Sequence, residues 1–94
     1  MNILYLKKYT FLSSLIKRNI SDETSMVYNP ENGDMYELND VSSEIFDYLA
    51  KGISGDEIVH NILLEYDIDE ETVIGDLSPL LDRLIELNIL ILEQ

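Results

Sequence analysis

The sequence offers few side chains that could perform chemistry. His60 is the single histidine, and neither of its chain neighbours is a nucleophile. Cysteine is absent, which removes disulfides, thiolate nucleophiles and thiolate metal sites from consideration. The four glycines, at positions 33, 52, 55 and 75, are too scattered to form a phosphate-binding loop. These features predict neither nucleophilic catalysis nor nucleotide binding.

A calcium-binding loop is the metal motif that the acidic residues approach. Asp67, Asp69 and Glu71 have the alternation that begins such a loop, but its sixth position should be glycine and its twelfth a bidentate acid. Thr72 and Ser78 stand at those positions instead. The other carboxylates belong to no catalytic motif and are interpreted as solubilising charge. The sequence therefore predicts no metal, no cofactor and no enzymatic activity.

Charge is distributed unevenly along the chain. The formal net charge is −13, yet the first 20 residues contain four basic residues, Lys7, Lys8, Lys17 and Arg18, and no acid. All 19 acids and the other two basic residues follow. Because dense negative charge repels phosphate backbones, nucleic-acid binding by the main body is disfavoured. We expect the basic start to be held against the acidic body.

The length of 94 residues predicts one small domain that covers residues 1–94. No apolar run is long enough to span a bilayer, and Lys7 and Lys8 interrupt the apolar start that a signal peptide would need. We therefore expect a cytoplasmic protein with no membrane partner. A chain this short buries only about 60–65% of its unfolded surface, which leaves apolar surface for a partner to cover.

The first part of the chain, up to about residue 38, has the composition of a sheet. β-Favouring residues cluster in segments 14–20, 25–28 and 35–38. Asn32-Gly33 lies between the last two segments and favours a tight hairpin turn. We predict an antiparallel hairpin of 25–28 and 35–38, joined by a strand near residues 14–20. The NILYL segment near the start fits either a further strand or a packed arm.

From about residue 39 onward, apolar residues recur at helical spacing. Asn39 or Asp40 can cap a first helix, and Gly52 can end it because glycine tolerates the left-handed conformation. Ser54 and Glu57 have the spacing of a capping box, which predicts the start of a second helix.

A third helix is predicted to begin after Asp69 and to end at Asn88. Pro79 lies inside it and removes one backbone hydrogen bond, so we expect a kink or a restart there. The ILIL segment at 89–92 can fold back onto the core. The predicted elements give an α+β, winged-helix-like fold: a small antiparallel three-stranded sheet in about residues 1–38, then three helices in about residues 39–94.

An ordered set of residues in the helical part resembles the PqqD-like family. The family pattern is Leu-Asn, a small residue, Ile-aliphatic, Leu, Gly, Ser/Thr and Glu-Ile, then Asp-Val, Phe-Leu, Leu and Gly-Leu. The matching residues are Leu38-Asn39, Ser42, Ile45-Phe46, Leu49, Gly52, Ser54, Glu57-Ile58, Asp76-Leu77, Leu80-Leu81, Leu84 and Asn88-Ile89-Leu90. Two departures are the asparagine at 88, where the family usually has glycine, and Pro79.

The resemblance implies a non-catalytic binding protein. Such domains, called RiPP recognition elements, bind the leader segment of a ribosomally synthesised precursor peptide and deliver it to a modifying enzyme. This chain resembles the stand-alone kind, as a monomer or weak dimer. The enzyme partner would be a radical SAM enzyme, a leader peptidase or a cyclase, in a lasso-peptide, radical-SAM-peptide or PQQ-type pathway.

The resemblance also implies where the leader binds. It is expected to add as a strand to the hairpin's second strand and to pack against the third helix, a mode in which main-chain hydrogen bonds give affinity and side-chain pockets give specificity. The expected peptide-binding residues are Met35, Tyr36, Glu37 and Leu38 on the strand, and Val73, Asp76, Leu80, Arg83 and Leu87 on the helix. Two alternatives stay open: Tyr36 and Leu38 can be core residues, and Arg83 can pair with Glu86.

Three other functions share part of this outline. A winged-helix nucleic-acid-binding or regulatory domain shares the outline, but a nucleic-acid binder would need basic residues on its third helix, and Arg83 is the one basic residue in 69–88. A carrier protein would need an Asp-Ser pair at a helix start, whereas Leu77 precedes Ser78. A structural dimer could pair its open sheet edges with each other.

Overall fold

The computed structural model describes residues 2–12 and 14–93. It confirms an α+β fold with a three-stranded antiparallel sheet and three helices, and it adds a second, two-stranded sheet. After a short 3₁₀ helix at Ile3–Tyr5, the elements are β1 Tyr9–Phe11, β2 Ile16–Asn19, β3 Thr24–Tyr28, β4 Met35–Asn39, α1 Asp40–Ala50, α2 Gly55–Glu65, α3 Glu70–Glu86 and β5 Leu90–Leu92.

The larger sheet has the strand order β2-β3-β4, so β4 lies at one edge. β3 and β4 form the expected hairpin, with Tyr28 opposite Met35 at the end nearest the turn. Gly33 in the turn has φ +80, a conformation that glycine adopts without steric penalty, and its N–H donates to Asn29 O at 2.8 Å. The turn therefore forms where Asn32-Gly33 predicted it.

The second sheet brings the two ends of the described chain together. β1 and β5 pair antiparallel, with Thr10 opposite Ile91. The ILIL segment thus returns to the core as a strand, and the NILYL segment is a 3₁₀ helix within a packed arm rather than a strand. Ile3 and Leu6 of this arm are fully buried, which anchors it under the helices.

Helices α1 and α2 both begin after the predicted N-cap residues, but the side-chain hydrogen bond of the expected capping box is not formed at α2. Asn39 Oδ1 accepts from Ser42 N at 2.8 Å at the start of α1, and Gly52 after its end has φ +78. The capping box expected at Ser54 is wrong. Ser54 Oγ donates to Asp56 Oδ1 at 2.8 Å, so the hydroxyl binds a side chain rather than the helix backbone.

The third helix lies within the predicted bounds and shows no restart at Pro79. α3 begins after Asp69, whose Oδ1 accepts from Thr72 N at 2.7 Å, and it continues through Pro79 without a restart. A proline at 79 leaves the carbonyl of residue 75 without its helical donor, and Gly75 is exposed, so water can hydrate that carbonyl. Asn88 has φ +60 and ends the helix, as predicted.

The main core lies between the three helices and the N-terminal arm. Its fully buried side chains include Ile45, Leu49, Ile58, Ile62 and Leu81. Within the part of the chain that the structure describes, no helix has the length and apolarity needed to cross a membrane.

Two lysines of the basic start contact the acidic body. Lys17 Nζ lies 2.8 Å from Asp47 Oδ2 and donates to Ser43 O at 3.1 Å, and Lys7 Nζ lies 3.9 Å from Asp56 Oδ2. The expectation that the basic start is held against the acidic body is therefore confirmed at these two positions.

Candidate functional site

The strand β4 has one paired edge and one open edge. It pairs with β3 along its whole length, and among residues 2–12 and 14–93 no strand pairs with its other side. The N-terminal arm does not cover this edge, because its strand β1 pairs with β5 in the other sheet. A row of backbone donors and acceptors on β4 is therefore available to another chain.

The direction of the peptide groups on β4 follows from the hairpin turn. In an antiparallel ladder, opposed residues that exchange hydrogen bonds alternate with opposed residues that do not. Asn29 N donates to Asp34 O at 2.9 Å, and these residues directly precede the first ladder pair. Hydrogen-bonded pairs alternate along the ladder from there, so the peptide groups of Tyr36 point to β3 and those of Glu37 point to the open edge.

The other hairpin gives the same alternation. Ile20 N donates to Thr24 O at 2.9 Å, so Thr24 directs its peptide groups to β2. The next residue, Ser25, must then direct its groups to β4, where Leu38 is its partner. Both hairpins therefore agree that Met35 and Glu37 present their N–H and C=O groups to the open edge.

The side chains of β4 also alternate. Tyr36 and Leu38 point to the helical side of the sheet, where Leu38 is buried and Tyr36 half-buried. Met35 and Glu37 point to the outer face and are exposed, with 61% of Met35 accessible. An added strand would place its side chains in the same alternation, one set toward the helices and one outward.

A groove of about 250 Å³ runs between the open edge and α3. Its walls are the β4 edge on one side and the second half of α3 on the other. The lining residues are Val27, Tyr36, Glu37, Leu38, Phe46, Leu80, Arg83, Leu84, Leu87 and Ile89. Most of these residues are apolar and two, Glu37 and Arg83, are charged, but the Glu37 side chain points to the outer face, so the groove favours apolar side chains with few polar contacts.

The floor of the groove is a packed layer. Val27, Leu38 and Phe46 form a buried cluster at the base of the sheet. The Phe46 ring meets Phe11 edge-to-face with ring centroids 5.1 Å apart, which ties the floor to the N-terminal arm. Since these side chains pack against one another in the absence of a ligand, the groove is already formed before a ligand binds.

The structure brings together six of the nine expected site residues. Tyr36, Glu37, Leu38, Leu80, Arg83 and Leu87 all line the groove. Met35 lies on the same edge but outside the groove lining.

The structure corrects the N-terminal limit of the peptide-binding residues expected on the third helix. Val73 is 1% exposed and belongs to the main core, and Asp76 is exposed and does not line the groove. The groove borders only the half of α3 from Leu80 onward, which is why residues earlier on the helix do not reach it.

The sequence did not identify four residues of the groove. Val27 and Phe46 form its floor, while Leu84 and Ile89 close it at the end of α3. Alternation along β3 could have placed Val27 on the inner side, two residues from Ser25. Ile89 carries no such signal, because it lines the groove only through the left-handed turn at Asn88.

Polar contacts at the groove are few and weak. Arg83 Nη1 lies 3.8 Å from Glu86 Oε2, and both side chains are more than half exposed. This is the intrahelical pair considered above, and an exposed pair of this kind contributes little to stability. Tyr36 Oη donates to Asp34 Oδ2 at 3.3 Å. Burial and then the Asp34 carboxylate raise the pKa of Tyr36, so this hydroxyl stays protonated.

A larger, polar cavity of about 560 Å³ lies on the same, helical face of the sheet but at its other edge, between β2 and α1. Lys17, Ser43 and Glu44 line it, and Ser25 Oγ lies 2.9 Å from Ser43 Oγ. Glu44 Oε2 is buried without a hydrogen-bond partner among the described residues. Burial, followed by hydrogen bonding and repulsion from Glu65, raises the pKa of Glu44 from 4.5 to about 7.

Glu44 predicts a pH dependence of stability. Its folded pKa lies above its unfolded value, so its contribution to stability is fully present below about pH 4.5 and is lost as pH rises through about 7. The neutral variant Glu44→Gln should be more stable than the parent above pH 7 and should show a flatter melting temperature between these limits. The carboxylates of Glu65 and Asp47 and the hydroxyl of Tyr66 face Glu44 in the parent and remain in the variant.

Thermal unfolding followed by circular dichroism across this pH range measures the effect. Glu31→Gln, in the exposed turn between β3 and β4, is the matched control and should keep the parent's profile. A Glu44→Gln profile that runs parallel to the parent's at every pH would contradict the assignment.

An open strand edge beside an apolar helix wall defines a module that takes up an extended chain. The described residues contain no group of three or more side chains that could hold a metal ion. The family model described as coenzyme PQQ synthesis protein D (PqqD) matches residues 24–90, which span β3 to the first residue of β5. The chain belongs to the PqqD family.

A solved structure shares this fold. The structure described as TbiB1 in complex with the TbiA(beta) leader peptide has 28% sequence identity to this chain and a TM-score of 0.71. The match covers 86% of this chain and 93% of that one. A search of curated proteins gives no match.

Proposed function

We propose that this protein is a RiPP recognition element that binds the leader segment of a ribosomally synthesised precursor peptide. The observation that carries the proposal is the open edge of β4 beside a preformed apolar groove. Membership of the PqqD family supports it, as does the similarity to TbiB1, which was solved with a leader peptide bound.

The leader binds by strand addition. Its backbone pairs with the N–H and C=O groups of Met35 and Glu37, and alternate side chains enter the groove between Leu38 and Leu80. Because a leader segment is unstructured before binding, it brings its own ordering cost, and a groove that is already formed keeps the remaining cost low. We expect a dissociation constant between roughly tens of nanomolar and tens of micromolar.

The protein has no catalytic role of its own in this proposal. It holds the leader at one edge of the sheet, leaving the rest of the precursor free for a modifying enzyme: a radical SAM enzyme, a leader peptidase or a cyclase. It does so as a monomer or weak dimer in the cytoplasm. The described residues contain no metal cluster, and α3, the helix a nucleic-acid binder would use, has Arg83 as its one basic residue against five acids.

A direct test starts from the reading frames beside the gene for this protein, which are searched for a short precursor peptide. A fluorescently labelled synthetic peptide covering its leader is titrated with the protein, and anisotropy reports binding. Saturation within the range above, competed by the unlabelled leader and not by the core segment of the same precursor, is the expected result. Binding to the core segment alone would overturn the proposal.

Proline substitution distinguishes the two sets of peptide groups on β4. Glu37→Pro removes an N–H that faces the open edge, so the ladder to β3 should survive, as proline does on edge strands. We expect leader affinity to fall about three- to tenfold, the effect of one lost hydrogen bond. Tyr36→Pro removes an N–H that faces β3 and should lower the melting temperature instead.

Anisotropy and thermal unfolding of both variants measure this contrast. Full leader affinity in a folded Glu37→Pro variant would mean that the leader uses another edge.

A further inference from the structure

Glu37 combines two properties at the receiving edge. Its peptide groups face the incoming chain, and its carboxylate points to the outer face of the sheet, where it is exposed. Among the ion pairs of the described residues, none includes Glu37. The strand that receives the leader therefore carries one negative charge with no salt-bridge partner at its centre.

We propose that Glu37 selects a lysine or arginine at the leader position directly opposite it, between two apolar leader residues. This inference rests on the proposed function, because it assumes that a leader strand pairs with β4. It adds what that strand must contain: an apolar–basic–apolar pattern whose central side chain points away from the groove.

The pattern follows from the register of β4. Residues directly opposite each other on neighbouring strands place their side chains on the same face, with Cβ atoms about 4.5–5.5 Å apart. The leader residue opposite Glu37 therefore points outward beside the carboxylate. The two flanking leader residues stand opposite Tyr36 and Leu38, whose side chains face the groove, so they point toward Leu80 and Leu87.

Apolar residues suit the flanking positions because the groove is apolar. Its floor is built from Val27 and Phe46, with no acid on the floor and Arg83 at the wall. A basic leader side chain directed to this floor would lose hydration without a partner. The leader side chain opposite Glu37 points to the outer face, where no apolar floor covers it. Its charge, rather than its apolar area, therefore determines which residue is preferred at this position.

No basic residue of the sheet itself neutralises Glu37. The residue opposite it on β3 is Met26, and Arg18 lies one strand further, opposite Met26 on β2. Arg18 and Glu37 lie on the same face, two strands apart, and none of the ion pairs of the described residues joins them. Arg83 on the groove wall is paired with Glu86 at 3.8 Å. The added strand is therefore the element that can place a basic side chain beside the Glu37 carboxylate.

The expected preference is modest but directional. A cross-strand pair of opposite charge improves affinity by about two- to fivefold over an uncharged residue, and a pair of like charge weakens it by a similar factor. A leader with lysine at this position should therefore bind about four- to 25-fold more tightly than the same leader with glutamate.

A displayed library of random peptides tests this without knowledge of the natural leader. Selection is run in parallel against the parent protein, Glu37→Lys, Glu37→Gln and the groove variant Leu80→Asp. With the parent we expect enrichment of lysine or arginine between two apolar residues. With Glu37→Lys the central position should change to aspartate or glutamate, and with Glu37→Gln its charge preference should disappear. Enriched peptides should lose affinity for Leu80→Asp.

The outcomes separate the inference from the proposed function. Peptides that depend on Leu80 but show no charge preference at the centre, or the same preference in Glu37→Lys, would overturn the role of Glu37 and leave leader binding intact. Failure to enrich any peptide that depends on Leu80 would overturn the proposed function itself. Circular dichroism of each variant establishes that it is folded before selection.

Discussion

Leu80→Asp is expected to weaken leader binding about 30-fold or more, which corresponds to at least about 2 kcal/mol. Leu80 lies on the α3 wall of the groove opposite the β4 edge. A carboxylate there would lose its hydration when an apolar side chain of the leader binds. Arg83 is the one basic side chain that lines the groove and could pair with it. Fluorescence anisotropy with the labelled leader measures the loss.

The matched control is the same substitution on an exposed leucine. Leu64 on α2 is 75% exposed and does not line the groove, so Leu64→Asp should bind the leader as the parent does. Leu87→Asp repeats the test about two helical turns further along the groove. Unchanged affinity in folded Leu80→Asp and Leu87→Asp would place the binding surface elsewhere on the protein.

Gly55→Ala is expected to destabilise the protein by about 2–4 kcal/mol. Gly55 is the first residue of α2, and its N–H donates to Leu6 O at 2.8 Å. A Cβ atom at this position would lie 1.5 Å from the Ile3 carbonyl oxygen, so either the helix start or the N-terminal arm must move. Since Ile3 and Leu6 are fully buried in the core, the arm cannot move without exposing them.

Gly75→Ala is the matched control, and we expect it to raise the stability of the protein rather than lower it. Gly75 lies inside α3, and a Cβ atom there would meet nothing within 4 Å. Alanine in a helix interior is favoured over glycine by about 0.5–1 kcal/mol, so this variant should be more stable than the parent. Urea unfolding at one pH measures both changes, and equal midpoints for the two variants would contradict the assigned packing of the arm.

Much of the fold was predictable because its signals are local. Asn32-Gly33 fixed the hairpin through the backbone conformation that glycine allows, and Gly52 and Asn88 ended their helices for the same reason. Two helix expectations, the capping box at α2 and a restart at Pro79, do not appear in the structure, and each has a local reason. Ser54 had a nearby carboxylate, Asp56, to bind in place of the helix backbone, and Pro79 lost only a hydrogen bond to an exposed carbonyl.

The second sheet could not be predicted from local signals. β1 and β5 are each three residues long and lie about 80 positions apart in the chain, so their pairing depends on the whole core placing both ends together. Helical periodicity predicted that Leu80 and Leu87 line the groove, but it could not show where along α3 the sheet edge approaches. For this reason the expected peptide-binding residues were extended wrongly to Val73 and Asp76.

The two borders of the larger sheet are not equivalent. On the outer strand β2, Lys17 turns its charge to the helical side and is held there by Asp47 and the Ser43 carbonyl. An inward-pointing lysine on an edge strand is a common safeguard against unwanted pairing, because an added strand would press apolar residues onto a charge. The corresponding positions on β4 are Tyr36 and Leu38, which carry no charge. The sheet therefore carries an inward-pointing charge at its β2 border and none at its β4 border, so an added strand is disfavoured at β2 and favoured at β4.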